Sequence, residues 1–267
     1  MKKKKKKKKK KMLNELTFCI PVRIDSEYRL RNLNAILRFY DSQIDARYII
    51  LEADSEQHLF DLPNISTLKY VFVHDSNPVF HRTHYLNYML SIIETKVAAI
   101  WDTDAVAPII QVIKAYESVV NNKCVICYPY DGCFWGVTEY FSSAFCQNMN
   151  INILRIKQPL HLMCGYYSVG GAFLVNVDLY KEYGWENEYF IGWGPEDAER
   201  YRRVYILGGI IQRITGNLYH LYHTRGINSG NFDKQLAKIT KREYIRICSM
   251  YPEQLRKEIS YWTWIKR

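Results

Sequence analysis

Two acids separated by one residue, Asp102 and Asp104, follow directly on the apolar run 97–101. On extended backbone, residues i and i+2 face the same way, so these carboxylates converge. Converging like charges repel, and a cation between them removes that cost. Hard carboxylate oxygens suit Mg²⁺ or Mn²⁺, ions that keep positions open for substrate phosphates. The competing reading is a pair of loop aspartates capping the next helix. Far along the chain, His220 and His223 offer neutral imidazoles, with Arg225 close behind. Mn²⁺ accepts imidazole beside carboxylate. The two histidines complete such a site only if the fold carries them to the aspartates. Otherwise they are hydrogen-bonded histidines near a strand end.

A second constellation is Gly192-Trp193-Gly194-Pro195-Glu196-Asp197. Proline fits a first helical turn, which puts Glu196 and Asp197 at a helix N-terminus. The helix dipole favours their ionised form there. A carboxylate beside an aromatic wall and a glycine loop can act as a general base toward a bound hydroxyl. The plainer reading is N-terminal helix charge with a core tryptophan. A third group is scattered over the first hundred residues: Pro21, Arg23 and Asp25, then Glu52 and Asp54, then Phe80, His81, Arg82 and Asn87. Together they could hold the base, ribose and phosphates of a nucleotide, since the planar arginine fork donates two parallel bonds to phosphate. Taken singly they are ordinary surface and capping positions.

Positioning these residues requires a sheet. Apolar strand-like runs occur at 16–22, 47–52, 68–74, 97–101 and 123–130. Between them, Leu30, Leu33, Leu37 and Tyr40 recur at helical spacing, and helices fit at 83–94 and 108–120. Strands alternating with helices indicate an α/β domain with a mostly parallel sheet. Ligands of such sheets lie at the carboxyl ends of the strands, where the polar residues above fall. Beyond Tyr167 the texture changes to a Gly-Gly strand at 168–177, a short helix closed by Gly184, a helix at 195–207 and short strands at 218–224. Residues 231–267 read as one or two helices rich in Tyr, Trp, Lys and Arg. The expected organisation is a disordered tail at 1–11, one catalytic-type domain at 12–230 and a helical extension at 231–267.

The 267 residues carry a formal charge of +10, but residues 2–11 are ten consecutive lysines. Without them 27 basic residues face 27 acidic ones. A neutral body with one basic tail is not a specific nucleic-acid reader. The tail should be disordered by self-repulsion, and Met12 could serve as an alternative start. Contact of the tail with an anionic membrane is a further expectation. No apolar run reaches the ~18 residues of a membrane span, and 16–22 lacks the features of a signal peptide. Seven scattered cysteines include Cys124 and Cys127 at CxxC spacing. They have no second pair, so buried thiols are the preferred reading over a zinc or redox pair.

In this order the motifs resemble the GT-A glycosyltransferases that use nucleotide sugars, and most closely the β-1,4-galactosyltransferase family, from about residue 16 to 231. The stretches that carry the resemblance are Pro-x-Arg after strand one, Phe-x-Arg with a later Asn, Asp-x-Asp, Gly170-Gly171-Ala-Phe, Trp-Gly-Pro-Glu-Asp, and a histidine followed by Arg. It implies a Rossmann-like single domain with a mixed, mostly parallel sheet. It implies that Pro21, Arg23, Phe80 and Arg82 hold uridine diphosphate, with Asp54, Asp102 and Gly171 lining the same site. Asp104 and His223 match the direct manganese ligands, with Asp102 in support. His220 stands where the family can place a methionine ligand. Trp193 matches the loop tryptophan over the donor, Asp197 the acceptor's base and Glu196 its acidic, acceptor-binding neighbour.

Departures from the family are Pro195 for a glycine, Ala198 for an aspartate and the small Ser168 before the Gly-Gly pair. The last leaves GalNAc open beside galactose as donor. The implied activity is inverting, Mn²⁺- or Mg²⁺-dependent transfer from a UDP-sugar to a glycan or lipid-linked glycan. The family's Golgi members carry a membrane anchor and stem. Their absence here leads to the expectation of a bacterial-type cytoplasmic enzyme of surface-polysaccharide synthesis, peripheral to the inner face of the membrane. Two alternatives compete: an inactive glycan- or surface-binding module, and a sugar nucleotidyltransferase. The second usually has a glycine-rich loop after strand one, and residues 21–28 contain no glycine.

Overall fold

The computed structural model describes residues 10–156, 160–226, 230 and 233–267. Residues 1–9, most of the expected tail, lie outside these. Lys10 and Lys11 depart from that expectation. Lys10 pairs with Asp41 at 2.8 Å, and Lys11 opens the first strand, β1 (Lys11–Val22), through a backbone bond to Gln43.

From Leu16 onward β1 is buried on both faces, as the uninterrupted apolar run requires. It lies between β2 (Ile44–Asp54) and β4 (Val97–Trp101), and β3 (Leu68–His74) adds outside β2, all parallel. Beyond β4 the sheet continues with β9 (Ala172–Asn176), β6 (Ile126–Tyr128) and β10 (Ile211–Arg213). The order is β10-β6-β9-β4-β1-β2-β3, and β9 alone runs antiparallel to its neighbours. Because β9 is reversed, it begins where β4 ends, with Ala172 opposite Trp101. The Gly170-Gly171 turn therefore reaches the same sheet edge as Asp102, whose N–H donates to the Gly171 carbonyl at 2.9 Å. Two expected strands are shorter than the apolar pattern suggested: 123–130 contracts to β6, and 168–177 to β9.

Helices cover both faces of the sheet. Helix α1 (Glu27–Asp41) starts at Ser26, whose hydroxyl accepts from the Arg29 N–H, and it buries Leu33, Ile36, Leu37 and Tyr40. Helices α2 (Arg82–Ile92) and α3 (Ile109–Val120) follow β3 and Pro108. Around Phe18, the rings of Tyr40, Tyr48 and Trp101 stack or meet edge-on at 5.1–5.3 Å, which makes the centre of the core aromatic.

A second, small sheet was not expected. It runs β5 (Ala105–Val106), β11 (Leu218–His220), β7 (Phe134–Gly136), β8 (His161–Leu162). Helices α4 (Glu139–Asn148) and α5 (Asn152–Arg155) lie between β7 and β8. After β9 come α6 (Val177–Glu182), capped by Asn176, and α7 (Glu196–Ile206). The C-terminal segment forms α8 (Lys234–Cys248), α9 (Pro252–Ser260) and a 3-10 turn (Trp264–Lys266). Ile247, Leu255, Ile259, Trp262 and Trp264 close a small separate core over Leu207 at the end of α7. Cys124 and Cys127 are buried free thiols at the start of β6. Among the described residues no helix is long and apolar enough to cross a membrane.

Candidate active site

The second sheet explains how residues more than a hundred positions apart meet. Strand β5 begins immediately after Asp104, and β11 pairs with it antiparallel, placing His220 opposite Ala105. The Leu221 N–H then donates to the Asp104 carbonyl at 2.8 Å, locking the ladder at this rung. His220 Nε2 lies 3.6 Å and His223 Nε2 3.2 Å from the Asp104 carboxylate. The ligand atoms of Asp104, His220 and His223 all lie within 4.8 Å of one another.

The donor set fits a divalent cation. His223 Nδ1 is 2.7 Å from the Thr224 carbonyl, which can only accept, so Nδ1 carries the hydrogen. Nε2 therefore faces Asp104 either as a second N–H or as a lone pair that needs a cation between them. A ring fixed by a carbonyl behind it is the usual setting of a ligating histidine. Burial works against the charge of His223, but the bond and charge of Asp104 outweigh it and raise its pKa. Burial lowers that of His220. Burial alone would raise the Asp104 carboxyl, yet His220, His223 and Arg29 hold it well below the usual range.

Asp102 departs from expectation. The segment Asp102–Asp104 is a turn rather than extended strand, with the Ala105 N–H reaching the Asp102 carbonyl, so strand alternation does not align the two carboxylates. Asp102 accepts from Arg82 Nη2 at 2.7 Å and stands outside the Asp104–histidine cluster. Burial, with the charges of Asp104 and Asp197, pushes its pKa up against the pull of Arg82. Arg82 Nη1 is buried without a hydrogen-bond partner. The same fields reach Arg82, where Asp102 and Asp197 more than offset the burial that opposes its charge. Arg82, Asp102 and Asp197 thus share one electrostatic neighbourhood.

Asp197 enters that neighbourhood from the first turn of α7. Its Oδ1 accepts from Arg200 Nη1 at 2.7 Å, while Arg200 uses Nε and Nη2 to grip the buried Glu186. Oδ2 points at Gly170, where an added Cβ would sit 2.6 Å away. Gly171 has φ +81°, and a Cβ there would strike the Phe134 ring at 2.7 Å. A side chain at Gly170 would displace the Asp197 carboxylate, whereas Gly171 is required by contact and backbone together.

Glu196 corrects the helix-dipole expectation. It is buried, its Oε2 has no partner, and burial with the charge of Asp197 pushes its pKa up to about 8. Desolvation outweighs the dipole here. Trp193 is 48 % exposed on the loop before α7.

The remaining predicted residues line the other strand ends. Pro21 is buried inside β1, in register with Leu51. Arg23 is held by the carbonyls of Ala53 and Asn77 and by the Asp75 carboxylate at 2.9 Å, with its guanidinium 5.4 Å from the Phe80 ring centre. Asp54 accepts from the Ser55 N–H and lies 3.9 Å from Arg23. Sequence reasoning missed Arg29, which spans Asp25, Thr103 and Asp104, and the Glu186–Arg200 pair. No local spacing announces either, because each partner comes from a different element. Beside the histidines, a cleft of about 370 Å³ is lined by Gly136, His161, Met163, Tyr222 and Arg225.

Residues 154–225 match the family model described as the N-terminal domain of galactosyltransferase. That segment contains Gly170, Trp193, Asp197 and both histidines. A sequence search of curated proteins finds no match. The structure is similar to the catalytic domain of Drosophila beta1,4-galactosyltransferase 7 in complex with xylobiose, at TM-score 0.55 and 14 % identity, covering 96 % of this chain and 84 % of that one. It is also similar to a mutant of that enzyme in complex with manganese, UDP-Gal and xylobiose, at TM-score 0.54 and 14 % identity, covering 87 % and 79 %. The fold is that of the GT-A glycosyltransferases, and the matched segment is similar to a galactosyltransferase domain. Within that class the chain resembles the galactosyltransferases.

Proposed function

We propose that this chain transfers a hexose, galactose or GalNAc, from a UDP-sugar to a hydroxyl of a glycan acceptor, with inversion, in the synthesis of a bacterial surface glycan. The observation that carries the reading is the Asp104–His220–His223 cluster at the strand edge, beside the Arg82–Asp102 pair. Asp104, His220 and His223 would hold Mn²⁺ or Mg²⁺. Such an ion, when bound, neutralises charge on the diphosphate leaving group. Arg82, with Nη1 free of protein partners, supplies a buried donor to the nucleotide sugar. Arg23 and Asp54 shape the nucleotide end, with Phe80 as its wall.

Asp197 is the base. It accepts the proton of the acceptor hydroxyl while the oxygen forms its bond to the anomeric carbon. The bond from that carbon to the diphosphate breaks on the opposite face, and UDP departs with the electron pair. Arg200 fixes the Asp197 oxygen that is not used. The unpartnered Oε2 of Glu196 is available to an acceptor hydroxyl, and Trp193 is placed to cover the donor and exclude water. The small Ser168, buried behind the Tyr130 hydroxyl at 3.4 Å, is the residue that leaves an N-acetylated donor open.

The test is Mn²⁺-dependent binding and slow hydrolysis across a panel of UDP-sugars, with EDTA as control. Binding of one UDP-sugar that EDTA abolishes supports the reading and identifies the donor. A folded protein that binds none of them overturns it.

A further inference from the structure

Charge is unevenly divided along the chain. Residues 12–232 carry 18 Lys and Arg against 23 Asp and Glu, whereas residues 233–267 carry nine against four. The surplus is concentrated on α8. Its exposed positions are Lys234, Gln235, Lys238, Ile239, Lys241, Arg242 and Ile245. At 100° per residue they occupy one continuous arc of roughly 160°. Four of the seven are cations and none is an acid.

The acids of the segment are engaged or placed elsewhere. Asp233 caps α8 by accepting from the Gln235 and Leu236 N–H groups. Glu243 and Glu258 hold Arg246. Glu253 is in the first turn of α9. Between the cations stand Ile239 and Ile245, 49 % and 52 % exposed, and Tyr251 follows at 73 %.

We propose that the exposed face of α8 is a docking surface for an anionic membrane. Cations alone would suit any polyanion. Exposed isoleucines within the same arc gain nothing from a phosphate backbone, which rewards stacking rings instead. They do gain from insertion below lipid headgroups, the arrangement of an interfacial amphipathic helix. The opposite face of α8 is anchored in the protein: Thr240 lies against Gly194 and Leu236 against Gly192, on the loop that carries Trp193. The docked helix would therefore hold that loop beside the bilayer, where a lipid-linked acceptor resides. The docking surface itself does not depend on the transferase reading.

Flotation with vesicles of phosphatidylcholine containing 30 mol % phosphatidylglycerol tests the inference, using the full chain. Because the lysine run would also bind, the comparison is made in a chain with Lys2–Lys9 replaced by glutamine. That protein should still float with anionic vesicles and not with pure phosphatidylcholine. Adding Lys238→Gln, Lys241→Gln and Arg242→Gln should weaken binding about a hundredfold, at roughly fivefold per cation. Arginine at the two lysine positions should preserve it. Replacing Ile239 and Ile245 by serine should weaken vesicle binding while leaving heparin binding unchanged. Unaltered thermal melting keeps each variant interpretable. The inference is overturned if the tail-neutral protein does not float, if the triple glutamine variant floats equally well, or if the serine pair lowers heparin and vesicle binding alike.

Discussion

Arg200 joins Asp197 to Glu186: one guanidinium donates to the Asp197 carboxylate at 2.7 Å and to both oxygens of Glu186 at 2.7–3.2 Å. Glu186 also accepts from the Tyr180 hydroxyl and is fully enclosed, so the guanidinium is fixed from behind and cannot follow Asp197 if that side chain moves. The proposed base is thus held by a rigid partner rather than by solvent.

Arg200→Met leaves Glu186 buried without its counter-ion. The expected cost is about 3–5 kcal/mol of folding stability, the usual penalty for breaking a buried pair from one side. Arg200→Lys keeps the charge but not the fork. It should lose less stability and still drop kcat at least about tenfold with the donor KM unchanged, because only the aim of Asp197 is altered. Urea unfolding and steady-state kinetics read the two effects separately.

Asp197→Asn should lower kcat by roughly a hundredfold or more, the usual contribution of a positioned base. Affinity for the nucleotide sugar, measured by calorimetry, should stay within a few fold. A wild-type rate in this variant would remove Asp197 from the mechanism.

His220→Ala and His223→Ala should each weaken Mn²⁺ binding by about tenfold or more, read by electron paramagnetic resonance of free Mn²⁺. Asp102→Asn should weaken it much less, because Asp102 faces Arg82 and not the histidines. Equal losses in all three would mean that the ion draws the Asp102 carboxylate across.

Glu196 makes stability depend on pH in a direction opposite to that of a paired acid. Its carboxyl titrates near 4.5 when unfolded and at about 8 when folded. Between those values the folded state holds the proton that the unfolded state releases. The contribution is complete below the unfolded value and is lost as pH rises through 8, with a slope of at most about 1.4 kcal/mol per pH unit. Glu196→Gln should flatten that part of the stability curve, measured by chemical unfolding from pH 5 to 9. An unchanged slope would show that Glu196 is ionised in the folded protein.

Strands β3 and β4 coincide with the runs read from the sequence: β4 is an unbroken apolar stretch between polar flanks, and β3 is dominated by aromatic and β-branched residues around Lys69. The Asp104–histidine meeting was readable only as a resemblance. Its physical cause is a ladder between a two-residue and a three-residue strand, too short to leave a periodic signal. The turn that separates Asp102 from the Asp104–histidine group was hidden for a similar reason. Alternation that holds through Trp101 does not carry the three further residues to Asp104, which lie in a turn closed by the Ala105 N–H. Neither Arg29 nor Glu186 stood out, because a buried ion pair between elements leaves no mark on local spacing. The inward tilt of Glu196 was also invisible, since first-turn acids on helices usually face water.

The segment between β7 and β8 leaves the small sheet and returns to neighbouring rungs, with Trp135 opposite Leu162 and Gly136 opposite His161. An excursion that starts and finishes side by side imposes no length on the rest of the chain. Among its described residues it is tied to the body at several points: Phe145 meets Phe39 at 5.3 Å, Ser143 accepts from Arg31, Glu139 accepts from the Tyr28 hydroxyl, Ser142 accepts from the Tyr222 N–H, and the Val137 N–H donates to the His220 carbonyl. It is accordingly a brace: the bonds to the His220 carbonyl and the Tyr222 N–H steady the chain on which both histidines sit, so a designer who trims the excursion must keep Val137 and Ser142 in place.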